Sequence, residues 1–310
     1  MLCIRPRERT LPEALALAET SLNLATERNT PVLAANVVNG RAVVLGAMQR
    51  TGRVVDVQAC DRAGASVLRR MTTGTAAWID GPAIVLALAL PHVAALYADA
   101  TNRTLLNRNV RPFLRGFTRA GAMAHYFGRE WISLRKRPAA LLGFEVTRSG
   151  AVLIEVFLGG AQAIGLPVAL QTVQERAIDR FMGKTPAGLQ EIVPEVQLGV
   201  FLERFVENFG DSSAISMVDV PEVETPLWMR QTGEMDPWPV GAEPKVSMRV
   251  PIGYLELVFG GLAGDVLAPR WLYADVGSRA NSDKLVDVPI EGATLQDMRR
   301  VVDDVIVRRR

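Results

Sequence analysis

Lysine is scarce in this chain. Of 35 basic residues in 310, only four are lysines, and none precedes Lys136. Net charge is +2, carried almost wholly by arginine. Without a dense basic stripe and interleaved aromatics, nucleic-acid binding is not expected. Cys3 and Cys60 are too few for a disulfide framework at this length and lack the spacing of a metal site, so no metal ligand set is expected. The longest apolar stretch, Pro82 to Ala98, contains Pro91 and His92 and is shorter than a membrane span. The opening Met1-Leu2-Cys3-Ile4-Arg5-Pro6-Arg7 has no apolar core typical of a signal peptide. These absences predict a cytoplasmic protein with no membrane partner.

What is present suits a sizeable core. Hydrophobic residues make up 49% and charged residues 22%, enough for one large domain and a smaller one. Thr10-Leu11-Pro12-Glu13 predicts a helix start, with a hydroxyl cap, an early proline and a glutamate three residues on. Leu15, Ala18, Leu22 and Ala25 follow at helical spacing. Val32 to Val38 and Ala42 to Gly46 predict strands around Asn39-Gly40, a hairpin signal. Ser66 to Arg70, Gly74 to Trp78 and Ala83 to Leu90 are further β-prone runs.

Ala94 to Ala120 predicts a helical stretch, and Trp131 to Leu134, Ala140 to Val146 and Ala151 to Leu158 predict strands. Helices are expected near Leu170 to Met182 and Val196 to Asn208. Val218 to Pro251 holds six of the 18 prolines and predicts a linker or wrapping loop. Beyond it, Val250 to Val258, a strand near Trp271 and a final helix from Thr294 predict a small α/β unit.

The chemistry-bearing segment is Arg69-Arg70-Met71-Thr72-Thr73-Gly74-Thr75-Ala76. Guanidinium forks beside closely spaced backbone amides can bind a phosphate or carboxylate. The plain alternative is a strand whose exposed arginines enter a turn. Gly183-Lys184-Thr185 imitates the end of a phosphate-binding P-loop, but Ile178 stands where that loop needs glycine, so it is rejected. His125, beside Tyr126-Phe127-Gly128, is either a general base or a packed structural residue. His92 is expected in the core or at a helix end, and Cys60 is expected to be a small buried hydrophobe.

Four segments in order resemble the biotin/lipoate protein ligase superfamily. They are Gly46-Ala47-Met48-Gln49, Arg69 to Asp80, Gly128-Arg129-Glu130-Trp131 and Arg137-Pro138-Ala139-Ala140-Leu141. In lipoate ligases the corresponding patterns are Gly-x-x-Gln, Arg-Arg-x-Ser/Thr-Gly-Gly-Gly-Ala closing on His-Asp, Gly-Arg-Asn-Asp, and a lysine-bearing strand. The resemblance implies an α+β fold: a mixed, largely antiparallel sheet with flanking helices. It also implies a ligase-like domain over 1–217, a linker over 218–246 and an accessory-like unit over 247–310. The positions it implies for acyl and nucleotide binding are Arg69, Arg70, Thr72, Thr73, Gly74, Thr75, Ala76, Gly46, Gln49, Arg129 and Arg137. Lys136 is the catalytic candidate, one residue from the expected lysine column, where Arg137 stands.

The departures concern the same residues. Thr73 and Thr75 replace glycines, Ile79 replaces the histidine and Trp131 replaces an acid. Arg137 cannot copy a compact ammonium. Trp78 and Trp131 either fill the pocket or line an acyl tunnel. The resemblance therefore implies two main functions, with an enzyme for a different small acid in a remodelled pocket as a third. One is binding or transfer of a lipoyl or octanoyl group to a lysine of a carrier-domain protein, with ATP and magnesium if the protein is a ligase. The other is a non-catalytic relative that binds a lipoylated or other partner protein, with no cofactor.

Overall fold

The computed structural model describes residues 1–47, 49–210, 215–221 and 226, and the backbone of three later strands. Strand β1 (Leu2–Thr10) runs into helix α1 (Leu11–Arg28). The Thr10 side chain accepts from the Glu13 N–H while the Glu13 carboxylate accepts from the Thr10 N–H, and Asn29 ends the helix in the left-handed conformation. Leu11, Leu15, Ala18, Leu22 and Ala25 are buried, as their spacing predicts. Thr10→Ala should cost about 1 kcal/mol of stability in a urea melt.

The remaining strands are β2 (Val32–Asn39), β3 (Arg41–Leu45), β4 (Ser66–Arg69), β5 (Ala77–Asp80), β6 (Ala83–Leu90), β7 (Ala124–Tyr126), β8 (Trp131–Leu134), β9 (Arg137–Val146), β10 (Val152–Gly159) and β11 (Ser216–Val218). The large sheet has the order β11-β1-β2-β6-β10-β9-β8-β7, parallel at β11-β1-β2 and antiparallel elsewhere. A second sheet, β4-β3-β5, packs beside it. The largely antiparallel sheet with flanking helices is the architecture the sequence resemblance implies. Later, β12 (Val246–Val250), β13 (Gly253–Ala263) and β14 (Val266–Ala274) form an antiparallel meander. The expected strand near Trp271 is β14, and the helix expected from Thr294 lies outside the described residues.

Three sequence expectations are corrected. Asn39-Gly40 does not close a hairpin: β2 pairs with β1 and β6, while β3 pairs with β4 and β5, so the dipeptide turns the chain from one sheet to the other. Both faces of β2 are covered, and burial in the large sheet outweighs the local turn preference. The helical stretch predicted from Ala94 begins only at Asn102–Thr104 with a 3-10 turn, followed by α4 (Leu105–Asn109) and α5 (Arg111–Arg119). Of the helix expected over 170–182 only one turn forms, α6 (Val173–Arg176). The short helices α2 (Thr51–Val54), α3 (Val57–Arg62) and α7 (Leu189–Ile192) fill connections, and α8 (Leu198–Glu207) forms where predicted.

The main core lies between the large sheet and α5 and α8, where Phe113, Phe117, Phe201, Phe205 and Phe209 pack together. A second core, between the two sheets and α1, holds Trp131 and Phe157, and Trp78 lies in a third cluster with Cys60. Both tryptophans are thus core residues. No helix among the described residues is long and apolar enough to cross a membrane.

Candidate functional site

The arginine-threonine loop leaves β4 and returns to β5, which places it over the middle of β9 and β10. The Thr73 N–H donates to the Phe144 carbonyl at 3.1 Å. Contact is closest at three glycines. A Cβ on Gly143 would stand 2.3 Å from the Thr73 carbonyl oxygen, and one on Gly46 would stand 2.2 Å from that of Gly74. Gly74 itself has φ +102°, a conformation other residues adopt only under strain. Thr72, Thr73 and Thr75 are buried.

Both loop arginines turn into the protein. Arg70 is fully buried and donates to Thr72 Oγ1 at 3.1 Å, to the Val44 carbonyl at 3.2 Å, and to the carbonyls of Thr73 and Thr75 at 2.9 Å each. Its guanidinium also lies 5.3 Å from the Phe157 ring centroid. Arg69 donates to the carbonyls of Gly46, Ala47 and Gln49, binding the preceding loop to this one. The Gln49 side chain closes that loop by accepting from the Gly46 N–H at 3.0 Å. Met48 lies outside the described residues.

Two buried acids hold the loop from below. Glu155, in the centre of β10, accepts from the N–H of Thr72 at 3.0 Å and from its hydroxyl at 2.7 Å. Burial pushes its carboxyl above the ordinary range despite Arg70 and Thr72, which act the other way. A carboxyl raised on folding holds its proton more tightly in the folded state. Its contribution to stability is full below pH 4.5, the ordinary value, and is lost as the pH rises through the raised one. Glu155→Gln should remove that slope, measurable as the stability difference from wild type between acid and neutral pH. Glu130 accepts from the Thr75 hydroxyl.

A buried ion cluster continues from Glu130. Arg180 stands 3.9 Å from Glu130 and donates to Glu175 at 2.8 and 3.1 Å, and Arg53 lies 3.8 Å from Glu175. Next to Arg180, Phe181 packs on Trp131 with centroids 5.7 Å apart.

The positions read from sequence therefore separate. Arg69, Arg70, Gly46, Gln49, Thr72, Thr73, Gly74, Thr75 and Ala76 come together as one buried assembly. Lys136 and Arg137 do not join it. Arg135 and Lys136 form the turn between β8 and β9, with φ +45° and +72°, and both are exposed. From Lys136 to Gly143 the chain runs along β9 for about 20 Å. The turn consumes Lys136 rather than absorbing a register shift, so the lysine cannot face the loop. Arg137 bonds outward to Glu191 at 2.9 Å and to the Pro186 carbonyl at 3.0 Å. Arg129 is half-buried beside Glu130, with no ion pair among the described residues. Lys136→Gly should raise stability by roughly 1 kcal/mol, because glycine adopts positive φ without strain.

Other candidates take plain roles. His125 stacks on Phe127 with centroids 6.0 Å apart, and His92 is exposed rather than in the core because it sits in a surface turn after β6. Cys60 is buried, and burial with Asp56 and Asp61 pushes its thiol up, against nucleophilic use. Sequence reasoning missed Glu155, Glu175, Arg180 and Arg53. Only Glu155 carried a signal: it is a single acid inside Val152 to Leu158, an otherwise apolar strand.

No protein-family model and no curated protein matches the chain by sequence. Structural similarity is extensive. P. falciparum LipL1, solved in complex with lipoate, superposes with a TM-score of 0.65 at 15% identity, covering 97% of this chain and 93% of that one. The chain has the lipoate-protein ligase fold. A bi-partite lipoate protein ligase of Thermoplasma acidophilum, described with its E2 lipoyl domain, gives a TM-score of 0.54 at 14% identity over 70% of this chain and 88% of that one. A lipoate-protein ligase A bound with ATP gives 0.53 at 14% identity over 71% and 89%. Within the lipoate-ligase fold, this chain's loop is packed against its own β9 through Gly143, with both arginines spent on protein acceptors.

Proposed function

We propose that this protein is a non-catalytic relative of the lipoate-protein ligases that binds an acyl-carrier domain of the lipoyl type. The observation that carries this reading is the state of Arg70, whose donors end on Val44, Thr72, Thr73 and Thr75. An anion would have to replace those partners. The loop as it stands does not fit a nucleotide phosphate. The loop amides of Thr72 and Thr73 already donate to Glu155 and Phe144. Acyl transfer without ATP is the weaker reading, since the loop N–H groups of Thr72 and Thr73 that could hold a developing oxyanion already donate to Glu155 and Phe144, and Lys136 is about 20 Å away along β9.

The fold similarity to LipL1 and to a ligase described with a lipoyl domain supports a small acid and its carrier as the chemical setting. We also propose a ligase-like domain over 1–217, a connection over 218–246 and an accessory unit over 247–310. Pyrophosphate exchange with ATP, magnesium and lipoate tests the absence of adenylation, and titration with a lipoyl domain tests the binding. Exchange above background overturns the non-catalytic reading.

A further inference from the structure

Charge is distributed very unevenly along the chain. Contrary to the expectation of no basic stripe, nine arginines and lysines but a single acid, Glu130, lie between Thr101 and Phe144, a stretch that the nearly balanced total conceals. That acid is buried between Thr75 and Arg180, so it does not offset the surface charge. Four of these cations, Arg119, Arg129, Arg135 and Lys136, surround β7, and none is paired with a carboxylate among the described residues.

Strand β7 is the last in the order of the large sheet, pairing only with β8 among the described residues. At its two ends stand Met123 and Phe127, 57% and 64% exposed. The Arg135 N–H donates to the Met123 carbonyl, so Ala124 and Tyr126, one and three residues on, turn their backbone groups away from β8. The Ala124 N–H is taken by the Thr118 hydroxyl, which leaves the Tyr126 N–H and two carbonyls on the open edge. Two exposed apolar side chains on a strand edge, ringed by unpaired cations, fit a protein surface better than a phosphate backbone. The apolar pair would be desolvated at the centre and the charges would steer from the rim.

We propose that the β7 edge is the docking surface for the carrier domain, which meets it with an acidic face. This inference rests on the reading given above and names the surface through which that binding occurs. Its position is consistent with the fold: Glu130, in contact with Thr75, is only three residues from Phe127, so a docked lysine loop would reach the rim of the arginine-threonine loop.

The test is calorimetric titration of the full chain with a lipoyl domain of net negative charge, at two salt concentrations. Phe127→Glu and the double variant Arg129→Glu/Arg135→Glu are compared with wild type, each checked for an unchanged thermal melt. Wild type should bind, more weakly at high salt, and both variants should lose at least about tenfold in affinity. Binding that is equal in wild type and variants removes this surface while leaving carrier recognition standing. No binding by wild type removes the carrier reading itself. Tighter, variant-sensitive binding of a single-stranded oligonucleotide would assign the patch to nucleic acid and overturn the proposal.

Discussion

Arg70→Met is expected to cost the protein about 3–5 kcal/mol, as when one partner of a buried charged network is removed. The carbonyls of Val44, Thr73 and Thr75 lose their donor, and Glu155 loses the charge that offsets its burial. In a chain of this size the loss is a fall in melting temperature of roughly 10 °C. The measurement separates two roles for the same residue. An arginine kept to grip a ligand leaves the unliganded protein about as stable when it is replaced. An arginine kept to hold a loop takes stability with it. A melt within a degree or two of wild type would contradict the closed assembly described above.

Gly143→Ala is the second large effect. The added methyl would stand 2.3 Å from the Thr73 carbonyl and 2.4 Å from Thr72 Oγ1, so either β9 or the loop has to move. β9 is paired with both β8 and β10, and the loop is the more movable side. Overpacking of this kind costs roughly 1–3 kcal/mol. Hydrogen exchange locates the response: the amides of Thr72 and Thr73, bonded to Glu155 and Phe144, should lose protection while those of β10 keep theirs. If a ligand-sized space separated the loop from β9, the substitution would be silent at every amide.

The fold was legible in the sequence where local chemistry and tertiary packing agree. Thr10 and Glu13 cap α1 because the cap needs only its own four residues. The apolar runs of β6 and β10 became central strands, buried throughout their length. The order of four short segments was enough to identify the fold, although identity to solved relatives is 14–15%. Asn39-Gly40 misled because a turn dipeptide fixes the bend and not which strands pair afterwards.

The site was legible only as a list of neighbours. Arg69, Arg70, Gly46 and Gln49 do assemble, but sequence cannot tell whether an arginine's donors meet a ligand or a carbonyl. That is decided by Glu155 and Phe144, more than seventy residues further along the chain. Lys136 shows the same limit on a smaller scale. One residue of register decides between the middle of a strand and its turn, and the positive φ at Arg135 and Lys136 appears only once the hairpin is closed.

The most direct test of the account is a calorimetric titration of the purified full chain. ATP with magnesium, lipoate, and all three together are compared with a lipoyl domain. The account predicts no heat from the small molecules, singly or combined, and a saturating isotherm with the lipoyl domain. Binding of lipoate that strengthens when ATP and magnesium are added would contradict it, because the loop would then be a working adenylation site.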